Sequence, residues 1–178
     1  MAASNTRKAS GGGDVPAFQW HIITPGEQFD VAGVPVVAAD VEHGLASPKN
    51  TTGDRSPFLC LSFIFPPFAI YMADVSGIPE ETYKIIENAF RDRKPSILAL
   101  DCLKTAPHLS HFGLAQSLEA TDRINAQKTL YVGFGHERPH ASWIEYIKEK
   151  QSSLKLDIGP GFDGQTLEVG GDGRVYQK

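Results

Sequence analysis

The stretch that decides the fold is residues 96–134, SILALDCLKTAPHLSHFGLAQSLEATDRINAQKTLYVGF. Residues 96–100 are an apolar run, as a buried strand requires, and the run stops on Asp101. Residues 113–125 place Leu114, Leu118 and Ile124 on one side of a helix. Residues 129–134 are a second apolar run. Strand, helix and strand in that order predict an α/β class, with helices laid on a sheet.

The same alternation continues outward. Upstream, Pro79-Glu80-Glu81 opens a helix over residues 79–93, since proline suits the first turn and acids suit the positive end of the dipole. Tyr83, Ile86 and Phe90 are its apolar stripe. Residues 58–65 and 68–73 pattern as two strands around Pro66-Pro67. Residues 31–41 pattern as one or two strands after a turn at Pro25-Gly26, and residues 19–23 as another. Residues 44–57 are polar and read as a surface loop. Downstream, a helix over residues 141–151 carries Trp143, Ile144 and Ile147, and turns at Asp163-Gly164 and Asp172-Gly173 suggest a terminal hairpin. Residues 1–14, small and Gly-rich, are expected to be a disordered tail, leaving residues 15–178 as one domain.

Composition limits the function classes. The chain has 178 residues, 41% hydrophobic and 21% charged, enough for one core and too apolar for wholesale disorder. A net charge of −4 argues against nucleic-acid binding through bulk positive charge. No apolar run approaches the roughly 20 residues of a membrane span. The only cysteines, Cys60 and Cys102, sit in apolar runs and read as free thiols of a reducing compartment, the cytoplasm. Gly159-Pro160-Gly161-Phe162-Asp163-Gly164 spells a dinucleotide-binding string but opens no helix, so it is set aside.

The chemistry lies at the ends of the apolar runs. Four of them lead to a residue able to bind metal or move a proton: His43, Asp74, Asp101 and His136. In α/β sheets, sites are built in the loops beyond the carboxyl ends of strands. Imidazole and carboxylate are zinc's usual nitrogen and oxygen ligands. Each residue also has a plain structural role open to it, as a turn cap or a hydrogen-bonded surface group. His111 stands just before the Gly113 helix, where the dipole favours a neutral ring, suited to metal binding, proton transfer or a cap.

Val41-Glu42-His43-Gly44, Tyr71-Met72-Ala73-Asp74-Val75-Ser76, Ile78-Pro79-Glu80, Leu100-Asp101 and Pro107-His108-Leu109-Ser110-His111-Phe112 follow in that order. This ordered set resembles the second half of a metallo-β-lactamase-superfamily hydrolase, and in particular fungal hydrolases of that superfamily. The branch includes the cyclic phosphodiesterase of phosphonate metabolism and, more distantly, the tRNA 3′-processing endonuclease.

The resemblance implies an αβ/βα sandwich of which this chain supplies the second half, with the three helices on one sheet face. The other face is then uncovered and open to self-association. It also implies a binuclear zinc centre, with His43 completing one metal site, Asp74 bridging the two ions and His111 donating a proton to the leaving group. The last metal histidine corresponds to His136, although an ungapped match places Gly133 there. The family signature H-x-H-x-D-H, which supplies most of the ligands, does not occur in the sequence. The expectation is therefore a zinc hydrolase by ancestry, acting on a small phosphodiester or related ester and weak or inactive alone. The alternative is a non-catalytic remnant or interaction module on the same scaffold.

Overall fold

A computed structural model describes residues 18–47, 55–91 and 93–178, so the tail expected over residues 1–14 lies outside the described residues. Seven strands form one sheet in chain order: β1 (Gln28–Val31), β2 (Val34–Leu45), β3 (Pro57–Phe65), β4 (Ala69–Met72), β5 (Ile97–Asp101), β6 (Lys128–Val132) and β7 (Ile158–Pro160). Pairings from β1 through β4 are antiparallel, and those from β4 through β7 are parallel. Parallel neighbours need crossovers, which α1 (Glu80–Phe90), α2 (Leu114–Ile124) and α3 (His140–Leu154) supply. A separate hairpin of β8 (Leu167–Val169) and β9 (Val175–Gln177) closes the chain, tied to the sheet where Ser96 Oγ donates to the Gly173 carbonyl.

All three helices contribute to one core. Ile86 and Phe90 of α1, Leu114 and Ile124 of α2, and Trp143 and Ile147 of α3 join a single buried cluster. From the sheet the cluster takes Val37, Ala39 and Val41 of β2, Ile70 and Met72 of β4, and Leu98 and Leu100 of β5. These sheet residues alternate along their strands, so they share one face. The helices therefore cover one face of the sheet and leave the other open. This is the α/β half-sandwich expected from the sequence.

Several boundaries differ from the sequence reading for local reasons. The β1–β2 turn falls at Ala32-Gly33, both with positive φ (53° and 87°), and Asp30 Oδ1 accepts from the Gly33 amide at 2.8 Å. Two positive-φ residues suit a tight hairpin, which a search for proline and Asn-Gly pairs overlooks. Residues 19–23 are in no strand. The loop over residues 44–57 is shorter than its polarity suggested, because Leu45 pairs with Pro57 and Ala46 N–H donates to the Ser56 carbonyl. In α3, Trp143 and Ile147 are buried but Ile144 is exposed. β7 arises from the very Gly159-Pro160 segment set aside above: its three residues fall short of any pattern, and β6 recruits them in parallel.

Both cysteines are free. Cys60 is half-buried, and Cys102 is fully buried with its thiol pushed up to about 12 by desolvation. Tyr131, also fully buried, is pushed up by the same cause. Above pH 9.0, the ordinary thiol value, the unfolded chain loses the Cys102 proton while the folded chain keeps it to about 12. The folded state then binds more protons, so stability falls as pH rises through that window. The urea midpoint should accordingly drop from pH ~9 upward, and Cys102→Ala should flatten part of the drop. A midpoint constant from pH ~8 to ~11 would contradict this.

Candidate metal centre

The carboxyl ends of β2, β4 and β5 lie next to one another, and backbone hydrogen bonds stitch the loops beyond them together. Glu42 N–H donates to the Gly77 carbonyl at 2.8 Å, and Ser76 N–H donates to the Glu42 carbonyl at 2.6 Å. Gly44 N–H donates to Ser76 Oγ at 2.8 Å. These bonds fix His43 against the loop that carries Asp74. Asp74 itself has φ 57°, a left-handed conformation that aspartate tolerates better than most residues. Its side chain is 65% exposed.

The third component comes from the connection between β5 and α2. This loop folds back on itself, with Leu103 N–H donating to the Phe112 carbonyl and Leu114 N–H to the Lys104 carbonyl. Gly113 allows the fold-back, because a Cβ there would collide with the Ala106 carbonyl oxygen. His111 is thereby held over the end of β5. Beneath it lies Asp101, 1% exposed, which accepts from the Phe112 amide at 3.0 Å and the Val75 amide at 3.4 Å. His111 Nδ1 lies 3.1 Å from Asp101 Oδ2. Burial pushes the Asp101 carboxyl up, against the opposing pull of His111 and of the Phe112 amide.

His43, Asp74 and His111 each present one ligand atom, and these atoms lie within 4.8 Å of one another. The hydrogen bonds settle which nitrogens are free. His43 Nδ1 is 2.7 Å from the Ser110 carbonyl oxygen, which can only accept, so Nδ1 carries the proton. His111 Nδ1 donates to the Asp101 carboxylate in the same way. In the neutral form of each ring, Nε2 is then the nitrogen that keeps a lone pair. The two rings meet edge to face, with centroids 4.8 Å apart. Two such nitrogens and a carboxylate suit one divalent ion, and each imidazole already has the outer hydrogen bond that metal-ligating histidines use.

His136 lies outside this group: it is exposed, on the turn before α3. The end of β6 meets the site instead at Gly133, φ 78°, where a Cβ would stand 2.8 Å from Asp101 Oδ1. A glycine there supplies no donor. Asp101 is the residue whose part the sequence reading left undefined. The signal was its place at a strand end ten residues before His111.

A family model, the β-lactamase superfamily domain, matches residues 2–134. The chain belongs to the β-lactamase superfamily, and its fold is the metallo-β-lactamase fold. Among solved structures it is similar to a diphosphatase of the PhnP family, with 24% identity and a TM-score of 0.57, over 81% of this chain and 46% of that one. It is also similar to the metallo-β-lactamase fold protein YhfI from Bacillus subtilis, with 10% identity and a TM-score of 0.56, over 88% and 54%. The chain thus spans about half the length of these two proteins. A search of curated proteins finds no match.

The site separates stability from metal affinity. Asp101→Ala leaves the Phe112 amide without its buried acceptor and should cost about 1–3 kcal/mol in urea unfolding, together with a 10–100-fold loss in affinity for a divalent metal ion. Asp74→Asn, at an exposed carboxylate, should stay within about 0.5 kcal/mol of the parent while weakening the binding of a divalent metal ion. The reverse order of stabilities would show that Asp74, not Asp101, holds the loops together.

Proposed function

We propose that this chain is a metal-dependent hydrolase by descent, directed at a phosphodiester or related ester of a small molecule, and weak when it acts alone. The observation that carries this reading is the convergence of His43, Asp74 and His111 above the buried Asp101. Zinc is the ion that this donor set suits best. Held there, a divalent ion would act as a Lewis acid on an ester or phosphoryl oxygen.

The chain's own residues then have defined tasks. His43, its Nδ1–H fixed on the Ser110 carbonyl, offers Nε2 as a ligand, and Asp74 offers a carboxylate oxygen. His111, anchored by Asp101 through Nδ1, would offer a nitrogen to the ion as the neutral ring, and in the protonated state would deliver a proton to the leaving oxygen. His111 cannot do both, because an Nε2 that ligates a cation has no proton to give. If it ligates, the proton donor is lost. If it protonates, two protein ligands remain where catalytic zinc ordinarily has three. Either arrangement is a poor catalyst.

Two other observations favour the alternative, a non-catalytic interaction module on the scaffold: Gly133 supplies no donor, and His136 stands apart. The two free cysteines fit a cytoplasmic setting. The excess of acidic over basic residues favours a small substrate over nucleic acid.

Metal content of the purified chain, measured with hydrolysis of a chromogenic phosphodiester, tests this reading. The expected result is at most one weakly held zinc per chain and slow turnover, both lost in Asp74→Asn. Two tightly bound zinc ions with robust hydrolysis would overturn the assignment of weakness. Hydrolysis that persists unchanged in Asp74→Asn would overturn the site.

A further inference from the structure

The face of the sheet opposite the helices is apolar and uncovered. Across it, Phe63, Tyr71, Ala99 and Leu130 stand side by side from β3 to β6 in cross-strand register, and Ala38 next to Phe63 on β2 is buried. Toward the β1 edge, Phe29, Val31, Val34, Val36, Phe63 and Phe65 line an open groove of about 320 Å³. Val31, Val34, Leu61 and Tyr71 each leave between 38% and 52% of their surface open. Monomeric proteins rarely expose an apolar area this continuous.

The chain also carries a segment of matching character. Phe18, Trp20 and Ile22 alternate along the stretch before β1 and are 71%, 74% and 93% exposed. They therefore do not fill the groove of their own subunit. The segment leaves from the opposite side of the sheet: Gly26, where it joins the body, faces Ile85 of α1.

We propose that the uncovered sheet face is the interface of a homodimer, in which residues 18–24 of each copy lie across the groove of the other. A second copy is the occupant that brings both an apolar sheet face and an apolar segment of this spacing. At roughly 150–250 Å² per aromatic side chain, Phe18, Trp20 and Tyr71 alone leave on the order of 400 Å² open per subunit. The exposed aliphatic residues of the face and segment bring the total near the ~800 Å² per partner of a standard interface. Reciprocal exchange of the segments closes the assembly at two copies, because each groove and each segment is used once.

Sedimentation velocity of the full chain over a concentration series tests the proposal. The expected species has twice the 19.4 kDa chain mass. Tyr71→Arg places a charge in the middle of the face, and Trp20→Ala shortens the segment at a largely exposed position. Each should weaken the dimer about 10-fold or more, or about 1.4 kcal/mol, with the far-UV circular dichroism unchanged. A monomer at every concentration, whether its face is bare or covered by its own segment, would overturn the proposal. So would open-ended oligomers, or a dimer that tolerates both substitutions.

Discussion

The arrangement of this site depends on one buried carboxylate. Asp101 ends β5 inside the protein, where an ionised oxygen is tolerable only if it is well supplied with donors. It receives them from three directions: the Val75 amide beyond β4, the Phe112 amide at the entrance to α2, and the His111 ring. The Cys102 amide next to it donates to the Val132 carbonyl at the end of β6. Three strand ends and one helix start are thereby held in a fixed relation. His111 has its orientation from this carboxylate, and His43 has its own from the Ser110 carbonyl in the same loop. Both imidazoles are thus oriented through a single loop.

That economy has a chemical consequence. A site with Asp74 at its open rim and Asp101 at its base is strongly acidic, which favours a cation. Among the described residues few groups could reach a cation there, and the proposed function asks one of them, His111, to be the proton donor as well. The helix-covered half of the scaffold has its core, and the ligand set among the described residues is thin. The one-sided sheet has the same character: a complete core on the helix side, and on the other side an apolar surface of the kind that cores are made from.

Much of the fold was legible in the sequence. Helical stripes such as Ile86 with Phe90, and the apolar runs of β3 and β5, are long enough to define their elements by period alone. β7 was not legible, since three residues containing a glycine and a proline become a strand only because β6 offers an edge. The Ala32-Gly33 turn was hidden because alanine is an unexpected residue at positive φ. In the site, His43 and Asp74 were readable as residue types at the ends of apolar runs, and His111 as one at a helix start. Their convergence is a property of register and loop closure, which no spacing rule contains. His136 matched by residue type, but the sheet delivers Gly133, not His136, to the place beside Asp101. The role of Asp101 was not defined because a buried carboxylate and an ordinary turn cap look the same in one dimension.

The central claim is that His43 and His111 both hold their protons on Nδ1, against the Ser110 carbonyl and the Asp101 carboxylate, and so keep bare Nε2 atoms. Long-range proton–nitrogen correlation spectra of the ¹⁵N-labelled chain, recorded on the alkaline side of the imidazole range, report the tautomer of each ring directly. The account predicts the Nδ1–H form for both residues, with the two Nε2 resonances shifting together when zinc is added. An Nε2–H tautomer at either ring, or zinc shifts confined to other histidines, would contradict it.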